Sequence, residues 1–262
     1  GHRIAMFLKI MRSDIHWLIF YFFVIVSWIA VLFTSENASE VAAFKSIYGA
    51  DFWIELCSQA AGSDDYFSLF LMWVIMSGAM MMPTLVPTLR TYQDLIFSGA
   101  GSSLGFILIL SGFLLIWVSY SALISVLQAI FINFGLVDQN GQFIYPLLSS
   151  AILTGAGLYQ FSKFKNACAS KCRAPLIFFM EFWSEERTAS FKMGLRLGLS
   201  CLGCCWMLMF LAFVGGTMSL VFMGLATVMM VFEKLPKLGE YISKPLGYAL
   251  IVGAGLNVVL TL

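Results

Sequence analysis

Histidine is almost missing from this chain. It occurs only at His2 and His16, which removes the parts needed for carboxylate-histidine di-iron sites, bis-histidine haem and Ser-His-Asp catalysis. His16, at the inner edge of the first apolar run, is the single candidate axial ligand for a haem or pigment, and an interfacial anchor is its plainer use. Charge is scarce as well: Asp, Glu, Lys and Arg make up 11% of the 262 residues, against 60% hydrophobic. At a mean hydropathy of +0.90, that much apolar surface cannot be hidden in one water-soluble core, so the bilayer is the solvent. A GxxxxGK(S/T) phosphate loop is absent, as is the ~10-residue alternation of a membrane β-barrel. Ionisable residues inside spans would mark a transport path. Only Glu233 and Lys234 come near, at the cytoplasmic end of a predicted span, where snorkelling is expected to bring them to water. No enzyme class is indicated.

What is present is a series of apolar runs of membrane-crossing length. They lie near residues 17–33, 67–89, 103–133, 145–162, 195–214, 217–233 and 245–262. The expected fold is all-α, a polytopic transmembrane helical bundle of about seven spans in one integral membrane domain over 1–262. In a six-span alternative the two runs flanking Gly215 and Gly216 form one broken helix. The first run, preceded by Arg3, Lys9 and Arg12, is as long as a span and reads as an uncleaved first helix. Buried Gln128 and Asn257 are expected to make interhelical hydrogen bonds, and Gly194 and Gly198 form a GxxxG spacing suited to close helix packing.

Charge between the spans tests that count. If seven helices alternate direction, fourteen of the fifteen basic residues fall on one side and only Lys45 on the other, while the acidic residues split seven and seven. The positive-inside rule then places the amino terminus in the cytoplasm. Residues 34–66 become an acidic extracytoplasmic segment, and 163–194 a basic cytoplasmic loop containing a CxxxC pair. The basic face follows from topology and does not call for a nucleic-acid partner.

Five of the six cysteines gather at this inner side. Cys168 and Cys172 lie just past the fourth predicted span, and Cys201, Cys204 and Cys205 in the first turns of the fifth. Cys57 stands alone in the outer segment. Residues three and four apart share a helix face, so Cys201, Cys204 and Cys205 point together. In a reducing compartment these are thiols rather than disulfides. Thiolate and thioether ligands select Cu(I) first and zinc second. Lys165, Lys171, Arg173 and Arg196 are expected to favour the thiolate form. Burial of cysteine as a small apolar residue is the competing account. Met72, Met76 and Met80 stack on one face of the second predicted span, and with Met209 they offer a secondary metal path, although methionine also fills irregular helix contacts. Pro83 and Pro87 are expected to free carbonyls and bend that helix.

The strings Met76-Ser77-Gly78-Ala79-Met80-Met81-Met82-Pro83, Tyr159-Gln160-Phe161-Ser162-Lys163-Phe164-Lys165-Asn166-Ala167-Cys168-Ala169-Ser170-Lys171-Cys172-Arg173-Ala174-Pro175 and Met193-Gly194-Leu195-Arg196-Leu197-Gly198, leading into Cys201-Leu202-Gly203-Cys204-Cys205, together with Glu233-Lys234, resemble the DUF2182 family. The resemblance runs from the second predicted span to the carboxyl terminus. It implies a bacterial inner-membrane protein of metal-binding type, with Cys168, Cys172, Cys201, Cys204 and Cys205 as ligands. At Leu197 many relatives carry histidine, so an imidazole ligand is missing here. Three functions follow as expectations: copper or zinc binding for homeostasis or delivery to a membrane cuproenzyme, an accessory subunit of a larger membrane complex, or a thiol oxidoreductase using Cys201 and Cys204 as a CxxC pair.

Overall fold

Long apolar stretches in this chain have no partner for their backbone except themselves, and they coil into helices. The computed structural model describes residues 65–261 apart from 139, 185–187, 218 and 237. The first predicted span, the outer segment up to residue 64, Cys57, His2 and His16 lie outside the described residues. Among those described the order is α1 (Tyr66–Phe97), α2 (Ser103–Asn133), α3 (Pro146–Gln160), α4 (Lys163–Arg173), α5 (Pro175–Phe182), α6 (Ala189–Phe210), α7 (Ala212–Gly215), α8 (Leu220–Glu233) and α9 (Leu238–Thr261). A lone bridge between Val137 and Phe143 is the only β pairing among them.

Four helical stretches are long and apolar enough to cross a membrane: Tyr66–Phe97, Ser103–Asn133, Ala189–Gly215 and Tyr241–Thr261. Helices α3 and α8 occupy the fourth and sixth predicted spans. At 15 and 14 residues they rise only about 22 and 21 Å, short of ~30 Å of hydrocarbon. Local signals cut them. Pro146 opens α3, and Ser162 closes the gap after it by capping α4 through Lys165 N. Before α8, Gly216 takes φ +90° and Ser219 caps the new helix. The runs flanking Gly215 and Gly216 are therefore separate helices joined by a turn.

Pro83 and Pro87 sit inside α1 without ending it. Nearby hydroxyls fold back onto the backbone: Thr84 Oγ1 donates to Met81 O at 2.7 Å and Thr91 Oγ1 to Pro87 O at 3.0 Å. Polar side chains pair across helices as membrane burial demands. Trp73 Nε1 donates to Gln128 Oε1 at 2.6 Å, Ser77 and Ser121 hydroxyls meet at 3.2 Å, and Ser150 donates to Asn257 Oδ1 at 3.1 Å. The tightest crossing joins α2 to α6. A Cβ added at Gly194 would fall 2.2 Å from Ile109 O, and one at Gly198 2.9 Å from Ile116 Cβ, so the GxxxG spacing sets the distance between these helices.

The bundle has two chemically different ends. At one, Phe131, Phe143, Phe210 and Phe213 interlock, with Phe213–Phe131 centroids 5.3 Å apart, and Phe143 N donates to Phe213 O at 2.8 Å. At the other, Tyr92 packs on Phe179 at 5.4 Å, α4 and α5 fold across, and the start of α9 joins them. The basic residues of the described chain, among them Arg90, Lys163, Lys171, Lys192, Arg196 and Lys244, belong to this second end or to the helical turns leading from it.

Candidate metal centre

Helix α6 carries three thiols on one face, and its length decides how deep they sit. The helix starts at Ala189, so Cys201 comes twelve residues in, after about 18 Å of helix. This corrects the expectation that the cysteines occupy its first turns. Lys192, which the predicted loop of 163–194 contains, is helical, as is Arg196. Arg196 lays its guanidinium 4.4 Å above the Phe182 ring, a cation-π contact that lets its stem run along apolar surface. Cys201, Cys204 and Cys205 are all removed from solvent. Cys204 Sγ lies 3.3 Å from Cys205 Sγ and donates to Cys201 O at 3.2 Å.

Three further helices close on this face. From α1, Met81 Sδ lies 3.8 Å from Cys201 Sγ. From the end of α8, Lys234 donates to Cys201 Sγ at 2.9 Å and to Thr84 Oγ1 at 2.9 Å. From α4, buried Cys172 is within side-chain interaction range of Cys204. Cys168, half-buried one turn earlier, rests on Gly203, where an added Cβ would fall 2.6 Å from its Sγ. Glycine at 203 is what lets α4 lie this close to α6. Tyr159 on α3 donates to Gly203 O.

The structure thus draws Cys172, Cys201, Cys204 and Cys205 into one cluster and holds Cys168 at its rim. Met76, Met80 and Met209 are buried, but the thioether that reaches Cys201 is Met81. Its signal was present in the run Met80-Met81-Met82; the four-residue stacking of Met76 and Met80 favoured a different side of the helix. The cation at the thiols is also not among those expected. Lys165 and Arg173 turn to Glu233, Arg196 to Phe182, and only Lys171 stands near a cysteine, Cys168. Nor do Glu233 and Lys234 snorkel to water. Glu233 is 3% exposed because Lys165 neutralises it at 2.9 Å, and Lys234 folds inward because Cys201 and Thr84 accept its protons. Leu197, one turn before Cys201, is a buried aliphatic.

This donor set fits a soft cation. Among the described residues no three His, Cys, Asp or Glu side chains already stand at metal-ligand geometry. With metal–sulfur bonds of about 2.3 Å, two sulfurs on one tetrahedral ion lie about 3.8 Å apart. The Cys201–Met81 separation equals that distance, whereas Cys204 and Cys205 at 3.3 Å are in thiol contact and would part slightly around an ion.

The profile of the PpoB2 family, described as copper chaperone, matches residues 70–257, well over half of the chain. The chain belongs to that family. The matched region takes in Met81, both cysteine groups and Lys234, so membership in the PpoB2 family associates this cluster's chain with copper. No curated protein and no solved structure matches it. Family membership and four membrane-length helices together describe a copper-related membrane protein.

Proposed function

We propose that this protein is an integral membrane copper chaperone of the bacterial inner membrane, holding Cu(I) as cargo on Cys172, Cys201, Cys204 and Cys205 with Met81, and passing it to a membrane cuproenzyme. The observation that carries the reading is the buried sulfur cluster with one ammonium against it: Met81 and Lys234 both meet Cys201, at 3.8 and 2.9 Å. Thiolate and thioether sulfur favour Cu(I) over harder ions.

Charge balance favours Cu(I) over zinc. With two of the four cysteines bound as thiolates and the other two as thiols, a monovalent ion leaves a single negative charge, which the one ammonium at the cluster, Lys234, offsets. Zinc on four thiolates leaves two, and the other buried cations nearby are committed to Glu233. By the positive-inside rule the basic end of the bundle, from which α4 brings Cys172 to the cluster, faces the cytoplasm. A partner subunit or acceptor enzyme would dock from the membrane or from that side.

Elemental analysis of the protein purified from native membranes tests this. The expected result is copper in the wild type and its loss when Cys201, Cys204 and Cys205 are all changed to Ser. Copper retained in the triple variant, or zinc in place of copper in the wild type, would overturn the assignment.

A further inference from the structure

The cluster is assembled from helices distant in sequence, and one residue outside it joins the end of α8 to both ends of α4 and to α9. Glu233 ends α8. Both of its carboxylate oxygens lie 2.9 Å from Lys165 Nζ, and Ser243 Oγ donates to Oε1 at 3.1 Å. Its main-chain oxygen accepts from Arg173 Nε at 2.8 Å. Lys165 also donates to Gln160 Oε1. Lys165 and Arg173 lie in the first and last turns of α4, and Cys168 and Cys172 fall between them. The thiol-bearing helix is therefore pinned at both ends to a single residue, whose chain neighbour is Lys234.

The start of α9 presses on the same point. A Cβ at Gly239 would fall 2.1 Å from Glu233 O and 2.5 Å from Arg173 Nε, so only glycine lets that backbone approach. Lys165 and Ser243 hold the Glu233 carboxylate, with Lys165 on both oxygens.

Resting on the reading of the cluster as a copper site, we infer that Glu233 is its positioning residue: through Lys165 and Arg173 it holds Cys172 against Cys204, and through the adjacent peptide it sets Lys234 on Cys201. A buried ion pair in this place fixes geometry more than it adds stability, because two desolvated charges barely repay their own burial. Loss of one partner leaves the other charge uncompensated and loosens the Lys165 end of α4, while the Arg173 bond to the Glu233 main-chain oxygen remains, so that Cys168 and Cys172 are held against α6 from one end only. Residues that orient metal ligands in this way cost about tenfold to a hundredfold in affinity when changed.

The test uses the full chain purified in detergent, with maleimide labelling of Cys172 read by peptide mass spectrometry and Cu(I) affinity read by chelator competition. Glu233→Gln is expected to speed Cys172 labelling and to weaken Cu(I) binding by about tenfold or more. The charge-swapped Lys165→Glu, Glu233→Lys variant is expected to restore protection of Cys172 and most of the affinity. A monodisperse Glu233→Gln protein with Cys172 still protected overturns the inference. So does a monodisperse swap variant whose Cys172 labels as fast as the single variant. Where Glu233→Gln aggregates, the swap alone decides by the same labelling criterion. A wild type that binds no Cu(I) overturns the copper reading, and the labelling result still decides the clamp.

Discussion

Lys234 and Cys201 meet across 2.9 Å from different helices, and the ammonium that donates to the thiol also donates to Thr84 of α1. One cation thus ties α8, α6 and α1 together at the sulfur cluster. If it supplies the counter-charge for a bound Cu(I)-thiolate centre, Lys234→Met will weaken Cu(I) binding by about tenfold to a hundredfold. Lys234→Arg, which keeps the charge in a larger head group, will fall between. Competition against a chromophoric Cu(I) chelator measures both, and equal affinities across the three proteins would assign Lys234 a purely structural task.

Among the described methionines, Met81 is the one with its sulfur 3.8 Å from Cys201. Met76→Leu, Met80→Leu and Met81→Leu are near-isosteric changes, each expected to shift stability by less than about 1.5 kcal/mol. Only Met81→Leu should lower Cu(I) retention. Thermal unfolding in detergent and metal content, measured on the same preparations, separate the two effects. Retention lost equally in all three would mean that the α1 methionines act together as a path.

Much of this site can be read from spacing. Cys201, Cys204 and Cys205 stand three and four apart, which fixes a shared face once the segment is helical, and Gly194 with Gly198 announces a close crossing. The long runs over 67–89 and 103–133 become helices because nothing else satisfies a backbone in lipid. What spacing could not reach is rotation and folding back. Met76, Met80 and Met81 differ only in which side of α1 they occupy, and that depends on how α1 sits against α6. Lys165, Glu233 and Lys234 look like interfacial charges because a hydropathy profile sees each at a helix end. Their inward turn follows from partners 68 positions apart for one pair and 33 for the other. The short α3 and α8 were hidden for a related reason: their sequences are apolar enough for a span, but Ser162 starts a new helix just after α3, and Gly216 with Ser219 delays the start of α8.

Cys168 should be the most readily labelled of the five described thiols, since it is half-buried while the other four are buried. Its reactivity should also climb with pH beyond that of a free cysteine. Burial pushes the Cys168 thiol up from its ordinary value, with the Lys171 ammonium opposing more weakly. The thiolate is the nucleophile, so at neutral pH Cys168 holds less of it than free cysteine, and its rate should rise about tenfold per pH unit until the raised value is passed. Alkylation followed from pH 7 to 10 in the purified protein checks this. A rate already level by pH 8 would contradict it.

The α2–α6 crossing predicts a coupling between packing and metal. At Gly194 an added methyl meets the main-chain oxygen of Ile109 at 2.2 Å, a contact that neither helix can relieve by rotating a side chain. Gly194→Ala must therefore push α6 outward, at about 1–3 kcal/mol by the usual cost of overpacking. Gly78→Ala on α1 is the matched control. Nothing lies within 4 Å of its added Cβ, and alanine is the better helix former by up to about 1 kcal/mol. Thermal unfolding in detergent should show Gly194→Ala less stable and Gly78→Ala equal to or above the wild type. Because α6 carries Cys201 less than two turns beyond Gly194, while Met81 and Lys234 approach from other helices, the same outward shift should lengthen the Cys201 contacts and lower Cu(I) affinity in Gly194→Ala alone. A variant destabilised as expected but binding Cu(I) unchanged would show that the cluster moves with α6 as a unit, and would place its ligands on that helix and α4 only.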